Sequence, residues 1–323
     1  MKQATKKALN VNMEGIQRYH QGGNYSNPEA YVSAGYEGGK FYLFTSDRKI
    51  EIDTATGKRS DGKPINGYGF EIESTCDGVC SDDMWVKIFN AMIAPAFPRG
   101  LFKAQSDGSL GGRSSAEFIT QPITKEGIRN MYRSFQAMFD NFFPQFAASS
   151  GHVSCGMHIN ISSALFGDDK ARQDEAIRKL YYFINKNFNL ACVLFRRNPQ
   201  HTTYCGRMDY TEARTMELSG HSSDHYVCFN LGHYDAGRIE LRIVGGQPSF
   251  QAFRNTVETC FHIVARAKTI SWNKIDDMNA WFRGCNQYVY DRLSRACNAG
   301  VFDRATLEKV YGTVKTEDYN LTD

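Results

Sequence analysis

Apolar and polar residues alternate over Gly67-Tyr68-Gly69-Phe70-Glu71-Ile72-Glu73-Ser74. A strand here turns Phe70 and Ile72 to one side and Glu71 and Glu73 to the other. Adjacent carboxylates on one strand face repel, so the pair fits either open water or a site where a cation sits between them. For this strand alone, water is the ordinary answer, since charged side chains lie mostly outside. The device recurs. Met157-His158-Ile159-Asn160-Ile161 puts His158 and Asn160 opposite its apolar residues, and Arg238-Ile239-Glu240-Leu241-Arg242-Ile243 sets Glu240 between two arginines. Three strands, each with one apolar face and one bearing Glu, His, Asn or Arg, predict a sheet whose second side is a metal and phosphate site.

Around these strands the pattern predicts an α+β chain. Lys40–Thr45 and Lys49–Asp53 read as a hairpin turning at Ser46-Asp47-Arg48, after a polar lead-in over residues 1 to about 35. Ser81-Asp82-Asp83 can cap a helix with Trp85, Ile88, Phe89 and Met92 on one face, stopping at Pro95. Asp107–Leu110 reads as a tight turn, and Glu117 opens a further strand that Pro122 closes. Thr124–Phe146 has Ile128, Met131, Phe135, Met138 and Phe142 at helical spacing, a core stripe. Lys170–Phe195 is the longest amphipathic helix. His225–Leu231 and Gly237–Arg242 form a second hairpin, and Phe250–Ile270 opens a helical C-terminal part. Antiparallel strands mixed with helices define the class.

Composition narrows the function. The 323 residues, 41% of them hydrophobic, can bury one large core or two small ones. The net charge of +3 is near balance and the basic residues are scattered, so nucleic acid is not the expected partner. Met1–Lys7 leads into no apolar stretch of signal length, and no apolar run is long enough to span a bilayer. The expected location is therefore the cytoplasm, with no membrane partner. Nine cysteines in a chain this long are odd for a disulfide scaffold. Cys76 and Cys80 have a zinc-compatible spacing without a second pair, so they read as free thiols. Cys155, Cys192, Cys205, Cys228 and Cys260 read as small core residues.

Other groups bear on chemistry. Gly57-Lys58 lacks the full phosphate-loop pattern. Arg196-Arg197 precede Asn198-Pro199, where they would offset a helix dipole or reach a phosphate. Residues 200–223, with His201, Tyr204, Cys205, Arg207, Arg214 and His221, and His225 just beyond, read as a loop lying over a site.

The order of Gly69-Phe70-Glu71-Ile72-Glu73, Asp107-Gly108-Ser109-Leu110 followed by Glu117, Cys155-Gly156-Met157-His158-Ile159-Asn160 and Glu240-Leu241-Arg242 resembles the amidoligase family. That family belongs with the glutamine synthetase and glutamate-cysteine ligase folds. The resemblance spans residues 66 to about 250. It implies a catalytic domain over 66–323 that ends in C-terminal helices; residues 1–65, a lead-in and hairpin by their own pattern, have no counterpart in the family. In that fold a curved antiparallel sheet, with helices packed on one face, carries the site. Two divalent cations, magnesium or manganese, bridge the phosphates of ATP, and the carboxylate substrate is activated as an acyl phosphate before an amine displaces phosphate. Carried over, Glu71 and Glu73 are metal ligands with Glu117 sharing one cation, and His158 and Glu240 complete the other. Arg242 meets the transferred phosphoryl group and Arg207 is a second phosphate contact; Arg197 and Asn160 join them on the cofactor side. Asn160 stands where the family often has His, and an amide is the weaker ligand.

These residue types suit that chemistry. Carboxylates approach the anionic phosphates of ATP only across hard cations, and arginine offsets charge on the transferring oxygens. The amine must arrive neutral, which calls for a nearby base; His201, His221 and His225 are candidates, each also an ordinary loop histidine. Two other readings stand beside the ligase: a metal-dependent amide hydrolase, which has no use for Arg242 and Arg207, and a non-catalytic member that binds nucleotide or a partner. The substrates implied are a carboxylate and an amine, borne by an amino acid, a peptide or a protein side chain. The residues leave their identity and the oligomeric state open.

Overall fold

The computed structural model describes residues 40–53, 56, 58–75, 89, 92–106, 115–143, 155–200, 202–221 and 226–314. It is a mixed fold of antiparallel sheets and helices. The chain divides into two compact units, Met1–Ile159 with Gly246–Phe250, and Asn160–Gly245 with Gln251–Asp323. This division differs from the sequence-based boundary at 65/66, which followed the start of the motif match.

In the first unit, β1 (Phe41–Phe44) pairs antiparallel with β2 (Lys49–Asp53), from Phe41↔Ile52 to Phe44↔Lys49. Thr45 closes the turn: its N–H donates to Arg48 O (2.8 Å) and its Oγ1 accepts from Arg48 N (3.1 Å). The hairpin lies where the alternation placed it, and β3 (Lys58–Arg59) extends its sheet. A second sheet holds β4 (Tyr68–Thr75), β5 (Phe102–Ser106), β6 (Ser115–Thr120) and the start of β7 (Met157–Ser162), in the order β5-β6-β4-β7.

The apolar side of β4 is sealed by phenylalanines. Phe70 meets Phe135 edge to face at 6.0 Å, and Phe118 of β6 lies 4.4 Å from Phe89 and 6.2 Å from Phe142. Phe135 and Phe142 come from the segment expected as one helix over 124–146. It is instead α1 (Lys125–Asn130), capped by Thr124 Oγ1 accepting Gly127 N, then α2 (Tyr132–Gln136), then a π-helical turn over Ala137–Phe142. The expected stripe is buried, but so are Tyr132, Phe139 and Phe143 beside it. The wider turn lets neighbouring residues all face the core. Of the expected helix over 81–92, Phe89 is buried and Met92 is exposed rather than on a core face. The rest of that helix, the Asp107–Leu110 turn, the lead-in, Cys76 and Cys80 lie outside the described residues.

In the second unit, the end of β7 neighbours β9 (Arg238–Leu241), which pairs with β8 (Phe229–Asn230), in the order β7-β9-β8. The expected strand over 225–231 is cut to two residues; His225 lies outside the described residues. Arg242 N and Ile243 N both donate to Cys228 O, at 3.0 and 3.2 Å. Two residues opposite one carbonyl make a bulge, which ends the pairing and leaves Arg242 just past the strand.

The expected helix over 170–195 breaks at Asn187 (φ −101°, ψ 41°) into α3 (Lys170–Lys186), capped by Asp169, and α4 (Phe188–Leu194). Then come α5 (Phe250–Thr269), α6 (Met278–Phe282), α7 (Gln287–Asn298) and α8 (Arg304–Tyr311), the last three capped by Asp277, Asn286 and Asp303. Phe183 of α3 packs on Trp281 of α6 at 4.3 Å, and Tyr181 on Phe229 at 5.5 Å. No described helix is long and apolar enough to cross a membrane.

Candidate metal centre

The face of β4 opposite the phenylalanines collects carboxylates. Phe70 and Ile72 are 1% and 2% exposed while Glu71 and Glu73 stay half-buried, as the alternation requires. The β4–β6 register sets Glu73 directly across from Glu117, also half-buried. Like charges opposite one another destabilise a sheet unless something positive lies near. His158 of β7 is close to the pair on β4. Its Nδ1 is 3.1 Å from Glu71 Oε2 and its Nε2 3.5 Å from Glu73 Oε1. The imidazole is buried, so both its nitrogens point at carboxylates rather than water. Glu73 Oε2 also accepts Gly156 N–H at 2.5 Å, and Glu73 N donates to Gly156 O at 3.1 Å. These bonds fix the carboxylate against the residues that lead into His158. Glu71, Glu73 and His158, with Glu117 opposite Glu73 on the next strand, are hard oxygens and one nitrogen of the donor types that suit a divalent cation.

In the second unit Glu240 is 3% exposed. Its Oε1 accepts Arg242 Nη1 at 2.7 Å and its Oε2 accepts Asn230 Nδ2 at 2.9 Å. The bulge after β9 therefore returns the Arg242 guanidinium onto the carboxylate two residues back. Asn160 accepts a hydrogen bond from Arg238 Nη1, so two of the polar side chains predicted on β7 and β9 meet each other.

Arg197 does something the sequence did not suggest. Its Nη2 donates to Val244 O (2.8 Å) and Arg242 O (3.2 Å), and its Nε to Ile243 O (3.4 Å). These bonds engage the guanidinium with the backbone that follows β9. Gly245 completes this clasp: its N–H donates to Phe195 O (2.9 Å), and a Cβ at this position would lie 2.3 Å from Arg196 O. Only glycine admits so close an approach.

Arg207 is exposed and rests 4.9 Å from the Tyr210 ring centroid. It lines an open cavity of about 390 Å³ with Lys186, Asn187, Phe302 and Thr306; Arg242, Glu240 and Arg197 are not in its walls. The segment 202–221 is irregular, as expected of a loop, and it is pinned to α3 by Tyr181 OH donating to Asp209 O and by Met208 N donating to Asn185 Oδ1. Of the three histidines considered as bases, His221 is exposed and its Nε2 lies 2.9 Å from Glu217 O. His201 and His225 lie outside the described residues.

Two contributors escaped the sequence reading. Gly156 offers only a backbone N–H, which no side-chain pattern reveals. Asn230 is paired with Glu240 across β8 and β9, a relation the hairpin loop length could have disclosed. Comparison with protein-family models finds no match to this chain, and comparison with curated proteins finds none either.

Proposed function

We propose that the chain is a metal-dependent enzyme that joins a carboxylate to an amine at the expense of ATP. The observation that carries the metal part is the imidazole of His158 set between Glu71 and Glu73, with Glu117 across from Glu73. In this reading those four residues hold divalent cations, magnesium or manganese, and Glu240 of the second unit is the further ligand the family resemblance implies. The bound cations would neutralise phosphate charge and polarise the γ-phosphoryl group. The substrate carboxylate takes that phosphoryl group and ADP leaves; the amine then attacks the acyl carbon and phosphate leaves. Arg242 supplies a planar fork of donors that can pass from Glu240 to the phosphoryl oxygens. Gly156 and Asn230 orient one carboxylate each. The glutamine synthetase-like fold, with its curved sheet, is part of this proposal.

One observation favours a second reading, a metal-dependent amide hydrolase. Arg242 donates to Glu240, Arg197 to backbone carbonyls, and Arg207 rests on Tyr210. Each of the three arginines assigned to phosphate thus has another engagement. The test is incubation with ATP, magnesium and pooled amino acids and peptides, followed by mass spectrometry. Products that have lost one water, with ADP release dependent on the amine, support the ligase. Products that have gained one water, formed without ATP, support the hydrolase and overturn it.

A further inference from the structure

Arg196, Arg292 and Arg295 of the second unit gather, and no described carboxylate forms an ion pair with any of them. Arg292 and Arg295 are three residues apart on α7, hence on one helix face. Helix α7 packs against α4, and Arg196 stands two residues beyond the end of α4 in a left-handed conformation (φ 61°). Arg292 is 1% exposed. Its Nη2 donates to Ala252 O (2.8 Å) and Thr256 Oγ1 (2.9 Å), while its Nε, like that of Arg196, is buried without a hydrogen-bond partner. Arg295 is exposed. Ala252 and Thr256 belong to the first two turns of α5, the positive end of that helix dipole.

A buried guanidinium normally has an acid beside it. None of these three forms an ion pair among the described residues. Burial, then repulsion from Arg196 and Arg295, lowers the pKa of Arg292 to about 9; the field of Asp291 opposes this. Asp291 is itself bonded to Gln287 Nε2 at 2.7 Å. Burial and then Arg295 lower the pKa of Arg196 as well.

We propose that the solvent side of this cluster, at Arg196 and Arg295 with Arg292 beneath, binds a small oxyanion of the phosphate class. Planar guanidinium forks match a tetrahedral oxyanion, and a bound anion would supply the ion-pair partner that these arginines lack among the described residues. Arg292 is too deeply buried to touch the ion and acts through its field. The site is independent of the carboxylates on β4 and of the ligase reading.

The test is calorimetric titration of the whole chain with inorganic phosphate at constant ionic strength, with a chelator present to keep the carboxylate site free of metal. Saturable binding is expected. It should weaken tenfold or more in Arg295→Gln and in Arg196→Asn, where Asn tolerates the left-handed backbone. It should stay within twofold in Arg304→Gln, which removes an equal charge from an exposed position on α8. A parallel ADP titration identifies the source: binding tighter than phosphate and lost in Arg295→Gln assigns the phosphoryl group of a larger molecule, and otherwise the ligand is the free ion. No saturable binding of either, full affinity in Arg295→Gln, or equal weakening in all three variants overturns the proposal.

Discussion

His158 shows how much one buried ring can organise. Its two nitrogens reach carboxylates two residues apart on β4, and one of these, Glu73, also holds the Gly156 N–H. Truncating Glu73 to alanine would mix two effects, because the N–H would lose its acceptor at a cost of about 1–3 kcal/mol. Glu73→Gln keeps an oxygen for that bond, removes the charge and relieves repulsion with Glu117. Its metal-free melting temperature should stay level or rise, while manganese affinity measured by calorimetry falls by on the order of tenfold or more. A large loss of metal-free stability would make Glu73 a structural residue. Arg242→Lys separates the two enzymatic readings. Lysine keeps the charge beside Glu240 but not the planar fork, so a ligase should retain metal binding and release ADP on the order of 10²-fold more slowly. Unchanged ADP release would remove Arg242 from the phosphoryl path. The sides taken by Phe70, Glu71, Ile72 and Glu73 were legible because a strand has period two. The partner of Arg197 was not, since three backbone carbonyls have no signature in sequence.

At the scale of elements, the first hairpin and the capped helices follow from local rules, whereas the breaks do not. Asn187 interrupts a helix whose apolar stripe runs on, and the π turn after α2 appears where buried residues crowd both sides of the expected stripe. Both depend on what packs against the helix. So does the contact of Gly245 with Arg196. Gly245→Ala should destabilise the chain by about 1–3 kcal/mol, because the atom at fault is a backbone oxygen that cannot swing aside. Denaturant unfolding measures it. A variant as stable as the parent would show that the clasp yields.

For the molecule as a whole, the buried thiols set a limit at alkaline pH. Cys155, Cys192, Cys205, Cys228, Cys260 and Cys285 are all buried, including the five read from sequence as core residues. Burial pushes Cys192 and Cys285 up to about 12 and raises Cys205, Cys228 and Cys260 as well. Below their ordinary value of 9.0 these thiols are neutral whether the chain is folded or not, so their contribution is fully present. Above it the unfolded chain ionises first, and stability falls by about 1.4 kcal/mol per pH unit for each such thiol until the folded pKa is passed. Denaturant unfolding from pH 8 to 11 under reducing conditions should show this decline, and Cys192→Ala should make it shallower. An unchanged slope in that variant would mean that Cys192 ionises equally in both states. Composition reads five of these residues as small core thiols, but only the packing shows how far their ionisation is suppressed.

The bulge beyond β9 makes chain length, more than chemistry, the constraint on residues 242–245. Ile243 and Val244 enter the clasp through their carbonyls, and their fully buried side chains need only be apolar. Conservative exchanges there should pass with little effect. An insertion or deletion would slide every carbonyl past the Arg197 fork, move the position that must be glycine, and leave Glu240-Leu241-Arg242 intact in the text of the sequence. Such a relative would still match the motif letter for letter while its arginine hung from a different backbone.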